Sequence, residues 1–233
     1  MKERECNRGR QAKFIKWSDI NLKSEIMFTG LIKETGIVSK LEQIPSGIEL
    51  IINTSEKLYS EIDIKSTIAV NGRALTILEK ENLGGKNKLK FYLSSWEKAK
   101  QYQQVKQVNL ERAIRFGEEI SGCLFYGIPC GQCKLISREE SPEGIVKIKA
   151  EWNNSLLTYL DIKDQVCLDG VLLQIKDINQ SLICVELYPE TLQKTNLGDN
   201  IIGSMFNIEI DPIITKLSQI LEKKLGNIIL EKA

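Results

Sequence analysis

The feature that most constrains this chain is an internal repeat. Ile62-Asp63-Ile64-Lys65 followed by Val70-Asn71-Gly72 returns as Leu160-Asp161-Ile162-Lys163 followed by Leu168-Asp169-Gly170, at an offset of 98 residues. The same offset carries Val108-Asn109-Leu110-Glu111 onto Phe206-Asn207-Ile208-Glu209, and Phe28-Thr29-Gly30 meets Phe125-Tyr126-Gly127 at 97. Register held over about 80 residues is hard to obtain by chance, so residues 27–121 and 122–211 are expected to be two copies of one unit. Two copies are too few for a solenoid, and 233 residues suffice for two domains that each bury a core.

Within each unit the apolar residues alternate over short stretches: Gly47 to Ile52, Thr67 to Val70, Lys88 to Leu93 and Gly144 to Lys149. That period of two predicts strands. Turn formers separate them, among them Pro45-Ser46-Gly47, Asn71-Gly72, Gly84-Gly85, Pro142-Glu143-Gly144 and Asp169-Gly170, at the spacing of a small closed barrel. Ser55 to Tyr59 and Ser155 to Tyr159 predict a helical turn or two. The expected fold is therefore all-β, two tandem barrels, with one exception at the C-terminus. There Ile213, Leu217, Ile220, Leu221, Leu225 and Ile228 recur at helical spacing over residues 212–233, with Asp211 placed as cap and Pro212 at the first helical position. Whether that apolar stripe covers its own barrel or a second subunit stays open at this point.

Composition narrows the function. With 32 Lys and Arg against 31 Asp and Glu, the net charge of +1 provides no field for a nucleic-acid backbone or an anionic membrane. No apolar run reaches membrane-spanning length, and residues 1–26 mix both charges without a signal-peptide core, so a soluble cytoplasmic protein is expected and the extension is given no fold. The chain has no histidine, which removes imidazole acid–base chemistry and the commonest metal ligand. Cys130-Gly131-Gln132-Cys133 has the form of half a zinc or redox knuckle. Without a second pair it reads as ordinary thiols, and no metal is expected.

Several segments together resemble the riboflavin synthase family. Met27-Phe28-Thr29-Gly30-Leu31-Ile32 is similar to the family N-terminus, Pro189 to Gly198 to its second-barrel signature, and Asn207 to Pro212 to the start of its last helix; Val108 to Ala113 adds a fourth match in the right order. The resemblance implies two six-stranded Greek-key barrels joined in a homotrimer by C-terminal helices, with each active site shared between the N-terminal barrel of one subunit and the C-terminal barrel of another. It implies a cofactor-free dismutation: two molecules of 6,7-dimethyl-8-ribityllumazine stack, and a four-carbon unit passes between them to give riboflavin and a pyrimidinedione.

Carried over residue by residue, the resemblance is uneven. The first-barrel motif, usually Asn-Gly-Val-Cys-Leu-Thr, is Asn71-Gly72-Arg73-Ala74-Leu75-Thr76. The second, usually Asp-Gly-Val-Ser-Leu-Thr, is Asp169-Gly170-Val171-Leu172-Leu173-Gln174. Cys123 and Ile128 stand where the family has two histidines. Most retained polar positions fall in the second barrel, while the matching first-barrel segment has changed to Leu93 to Lys100, where Trp96 offers a surface for stacking or simply packs. The implied substrate contacts are Gly30, Leu31, Ile32, Ala74, Leu75, Thr76, Gly127, Ile128, Lys163, Leu172, Gln174, Pro189, Glu190, Thr191 and Thr195, with Asp211 and Lys163 as the catalytic candidates. Each has a plainer reading: Asp211 as a helix cap, Lys163 as a solvated lysine, Thr191 and Thr195 as turn hydroxyls. The loss of His, Cys and Ser leaves a non-catalytic lumazine- or flavin-binding protein as the rival expectation.

Overall fold

The structure is a computed structural model and describes residues 26–230 apart from Ser46 and Gln104. The extension up to Glu25 lies outside the described residues, as do the side chains of residues 225–230, so the expected roles of Leu225 and Ile228 are not addressed.

Twelve strands form two closed antiparallel barrels of identical topology. The first comprises β1 (Glu34–Ile44), β2 (Gly47–Thr54), β3 (Thr67–Val70), β4 (Arg73–Leu83), β5 (Lys86–Leu93) and β6 (Gln107–Arg112), in the order β1-β2-β5-β4-β3-β6. The second comprises β7 (Gly131–Glu140), β8 (Val146–Glu151), β9 (Gln165–Leu168), β10 (Val171–Asn179), β11 (Leu182–Leu187) and β12 (Met205–Ile210), and its order repeats the first strand for strand. The period-two pattern explains the cores. Along β2, Ile48, Leu50 and Ile52 point inward beside Ile68, Ile77, Leu89 and Phe91; in the second barrel Leu135, Ile148, Val166, Ile175, Val185 and Phe206 do the same.

Closing six short strands needs tight turns and strong twist, and both copies use the same devices. Asn71-Gly72 and Asp169-Gly170 have φ of 47° and 72°, and 47° and 79°, the double positive-φ geometry whose twist matches a two-residue hairpin. Irregularities that bend the strand fall at matched places, between Val38 and Lys40 and between Leu135 and Ser137, then between Ile77 and Glu79 and between Ile175 and Asp177.

Among the described residues, helix within the barrels is confined to connections. Ser55 caps α1 (Glu56–Glu61) by accepting the Leu58 N–H, and its counterpart is a 3-10 turn at Ser155–Tyr159. Two further short helices, α2 (Trp96–Gln103) and α3 (Pro189–Lys194), occupy equivalent positions before the last strand of each barrel. The C-terminal helix α4 (Pro212–Leu230) starts as its sequence predicts, with the Asp211 carboxylate accepting the Ile213 N–H at 2.7 Å. It has two faces. Ser218 is buried and Ile214 packs on the second-barrel core, whereas Ile213, Leu217, Ile220 and Leu221 are 42–67% exposed. No helix among the described residues is long and apolar enough to cross a membrane.

Candidate functional site

The two barrels meet through segments that precede each first strand and reach across to the other copy. Phe28 and Phe125 exchange both backbone hydrogen bonds, at 2.8 and 2.9 Å. The Ala74 N–H of β4 donates to the Gly127 carbonyl, and the Leu172 N–H of β10 donates to the Gly30 carbonyl, each at 2.9 Å. One buried glutamate holds each segment in place. Glu111 accepts from the Thr29 N–H and hydroxyl and from the Gly30 N–H; Glu209 accepts from the Tyr126, Gly127 and Ile128 N–H groups. Burial pushes both carboxyls above their usual range, against the pull of those donors. Asn109 and Asn207 complete the reciprocal arrangement by donating to the Asp169 and Asn71 carbonyls of the opposite barrel.

This crossing places Gly127 and Ile128 over the start of β4 and so creates a shared site. A cavity of ≈ 450 Å³ opens there, and Ala74, Leu75, Thr76, Gly127 and Ile128 from the expected contact set all line it. That volume suits a heterocycle of drug-like size. The close approach of the two segments requires that Gly127 carry no side chain: a Cβ there would sit 2.8 Å from the Ala74 backbone nitrogen, at a φ of 66°. Arg73, Tyr92, Ser94 and Lys98 also line the cavity, and the sequence pattern did not single them out. Their signal was faint, because they come from β4, β5, the bend after β5 and α2, and only the fold brings them together. Trp96 is half-exposed at the start of α2 and is not among the residues lining the cavity.

The remaining expected residues lie on the second barrel or at the crossing. Gly30 is buried, and a Cβ on it would meet Leu172 at 2.7 Å; Ile32 packs on the second core, and Leu31 is half-exposed beside them. Gln174 is exposed on β10, paired with Gln165 of β9. Lys163 is an exposed turn residue at φ 80°, its N–H tied to the Ile175 carbonyl, and Lys65 repeats that geometry at φ 71°. Pro189 and Glu190 begin α3, with Glu190 paired to Lys194. Thr195 donates its hydroxyl to the Thr191 carbonyl and accepts the Leu197 N–H, the turn-stabilising role. Asp211 acts as the cap of α4.

The Cys130 and Cys133 thiols are poorly suited to chemistry. Burial pushes Cys130 up to about 11 and Cys133 higher still, and the Cys130 thiol donates to the Ile208 carbonyl. Among the described residues, no three His, Cys, Asp or Glu side chains are grouped to hold a metal ion.

Comparison with known proteins points one way. The Lumazine binding domain family matches residues 129–211. Riboflavin synthase of Chlamydia muridarum (strain MoPn / Nigg) is 32% identical over 196 residues, which is 82% of this chain and 92% of that protein. The enzyme of Brucella abortus (strain 2308) is 29% identical over 193 residues, 80% and 94% of the two chains. Among solved structures, LumP complexed with riboflavin superposes with a TM-score of 0.66 at 22% identity, over 78% of this chain and 98% of that one, a likeness of fold.

Proposed function

This chain belongs to the riboflavin synthase family, and from that premise we propose that it binds 6,7-dimethyl-8-ribityllumazine and converts pairs of it, slowly, into riboflavin and a ribitylamino-pyrimidinedione. The observation that carries the reading is the cavity where β4 meets Gly127 and Ile128, because it gathers five of the residues the resemblance implies into one volume of fitting size. Holding two identical heterocycles face to face supplies much of the rate of such a reaction by orientation alone. Proton transfer falls to Asp211 and Lys163. One Asp211 oxygen is used by the helix cap, and the other makes no hydrogen bond among the described residues. The paired site would form between subunits, with the exposed Ile213, Leu217, Ile220 and Leu221 as the trimer contact.

One observation favours a second reading, a protein that binds the ligand without turning it over. Among the described residues no carboxylate or thiol lines the cavity, and the chain has no histidine. Incubating the protein with the lumazine and following riboflavin fluorescence separates the two. Turnover above a protein-free control, depressed roughly 10- to 100-fold in Asp211→Asn and Lys163→Gln but not in Cys133→Ala, supports the enzyme. A rate equal to the control leaves the binding protein, provided the lumazine is still bound.

A further inference from the structure

Arg73 is out of keeping with its position. In the second copy the same place holds Val171, 5% exposed and packed in the barrel core; in the first copy it holds a guanidinium that lines the cavity. The Arg73 Nε–H is buried and has no hydrogen-bond partner, and among the described residues Arg73 has no ion-pair partner. Lys98 faces the same space from α2, and among the described residues its ammonium donates to the Ser94 hydroxyl at 3.3 Å. Two cations thus line a cavity of ≈ 450 Å³, and none of the described residues that line it is acidic. A buried guanidinium donor left unpaired is costly unless something else supplies the acceptor. Guanidinium and ammonium together suit one acceptor above others, a phosphate.

We propose that the first-barrel cavity takes a phosphorylated ligand, a phosphate monoester carried on the polyol chain of a lumazine- or flavin-type heterocycle, with Arg73 and Lys98 as the phosphate contacts. The inference rests on the reading that this cavity is a heterocycle site. It implies that the two barrels differ in selectivity, because Val171 offers no charge at the equivalent place in the second.

The test is a fluorescence titration of the full-length protein with riboflavin and with flavin mononucleotide at low salt. Flavin mononucleotide should bind about ten-fold tighter or better. The advantage should shrink as salt is raised. It should fall to near parity in Arg73→Val, which installs the residue the second copy already folds with, and fall part of the way in Lys98→Gln, an exposed position that folding does not depend on. Riboflavin affinity should change several-fold less than flavin mononucleotide affinity in both variants, because riboflavin has no phosphate contact to lose. Equal affinity for the two flavins, or a phosphate preference that survives both substitutions, overturns the proposal while leaving the heterocycle site standing. Failure of either flavin to bind overturns both.

Discussion

Asp169 and Asn71 occupy the same place in the two copies and make the same bond, each side-chain oxygen accepting the N–H of an asparagine on the last strand, at 2.8 Å. Asparagine does this without a charge. Aspartate cannot, and burial raises its carboxyl from 3.8 to about 7. A folded pKa above the unfolded one means the fold holds the proton more tightly. The associated stability is complete below about pH 4 and is lost as pH rises toward 7. Asp169→Asn should therefore raise the unfolding free energy from urea melts at pH 8 by up to roughly 4 kcal/mol, and flatten its dependence on pH between 5 and 7. Glu111 and Glu209, whose folded pKa values are also raised, leave a residual slope of the same sign. If the variant matched or fell below the parent at pH 8, the burial argument would fail. These glutamates also show what the sequence left unread. Both sat in the repeated Asn-Leu-Glu and Asn-Ile-Glu segments that set the offset, but a repeat marks correspondence and says nothing about which backbone amides a carboxylate will meet 80 residues away.

Among elements, the strands and their hairpins were readable because period two and positive-φ turn residues are local signals. The first and second barrels' turns meet at Gly72 and Gly170, which local sequence cannot reveal. A Cβ on Gly72 would lie 2.7 Å from the Gly170 nitrogen, whereas one on Gly84, also at positive φ, meets nothing within 4 Å. Gly72→Ala should thus cost on the order of 2–4 kcal/mol and Gly84→Ala about 1, compared by urea melts under identical conditions. Similar costs at both would show that the turn conformation, not the crossing, is what matters. The α2 segment was the least legible: only the fold shows that Lys98 on it faces the same cavity as Arg73.

At the scale of the whole molecule, α4 presents Ile213, Leu217, Ile220 and Leu221 to solvent while Ile214 anchors it to the second barrel. The sequence left both uses of the helix open because a stripe gives its width and not its direction. Light scattering on the intact protein should report a trimer, and Leu217→Glu should shift it toward monomer with the barrels still folded by circular dichroism; a monomeric parent would rule out the assembly. The crossing between barrels has a different consequence. It has the form of an isologous dimer interface, with Phe28 against Phe125 and Glu111 answering Glu209, but both halves belong to one chain. In a homodimer every substitution is made twice and must suit both sides at once. Here a change can be made on one side alone, as Arg73 opposite Val171 and Asn71 opposite Asp169 already illustrate. Joining the halves in one gene frees them to specialise independently without giving up the symmetric contact that holds them.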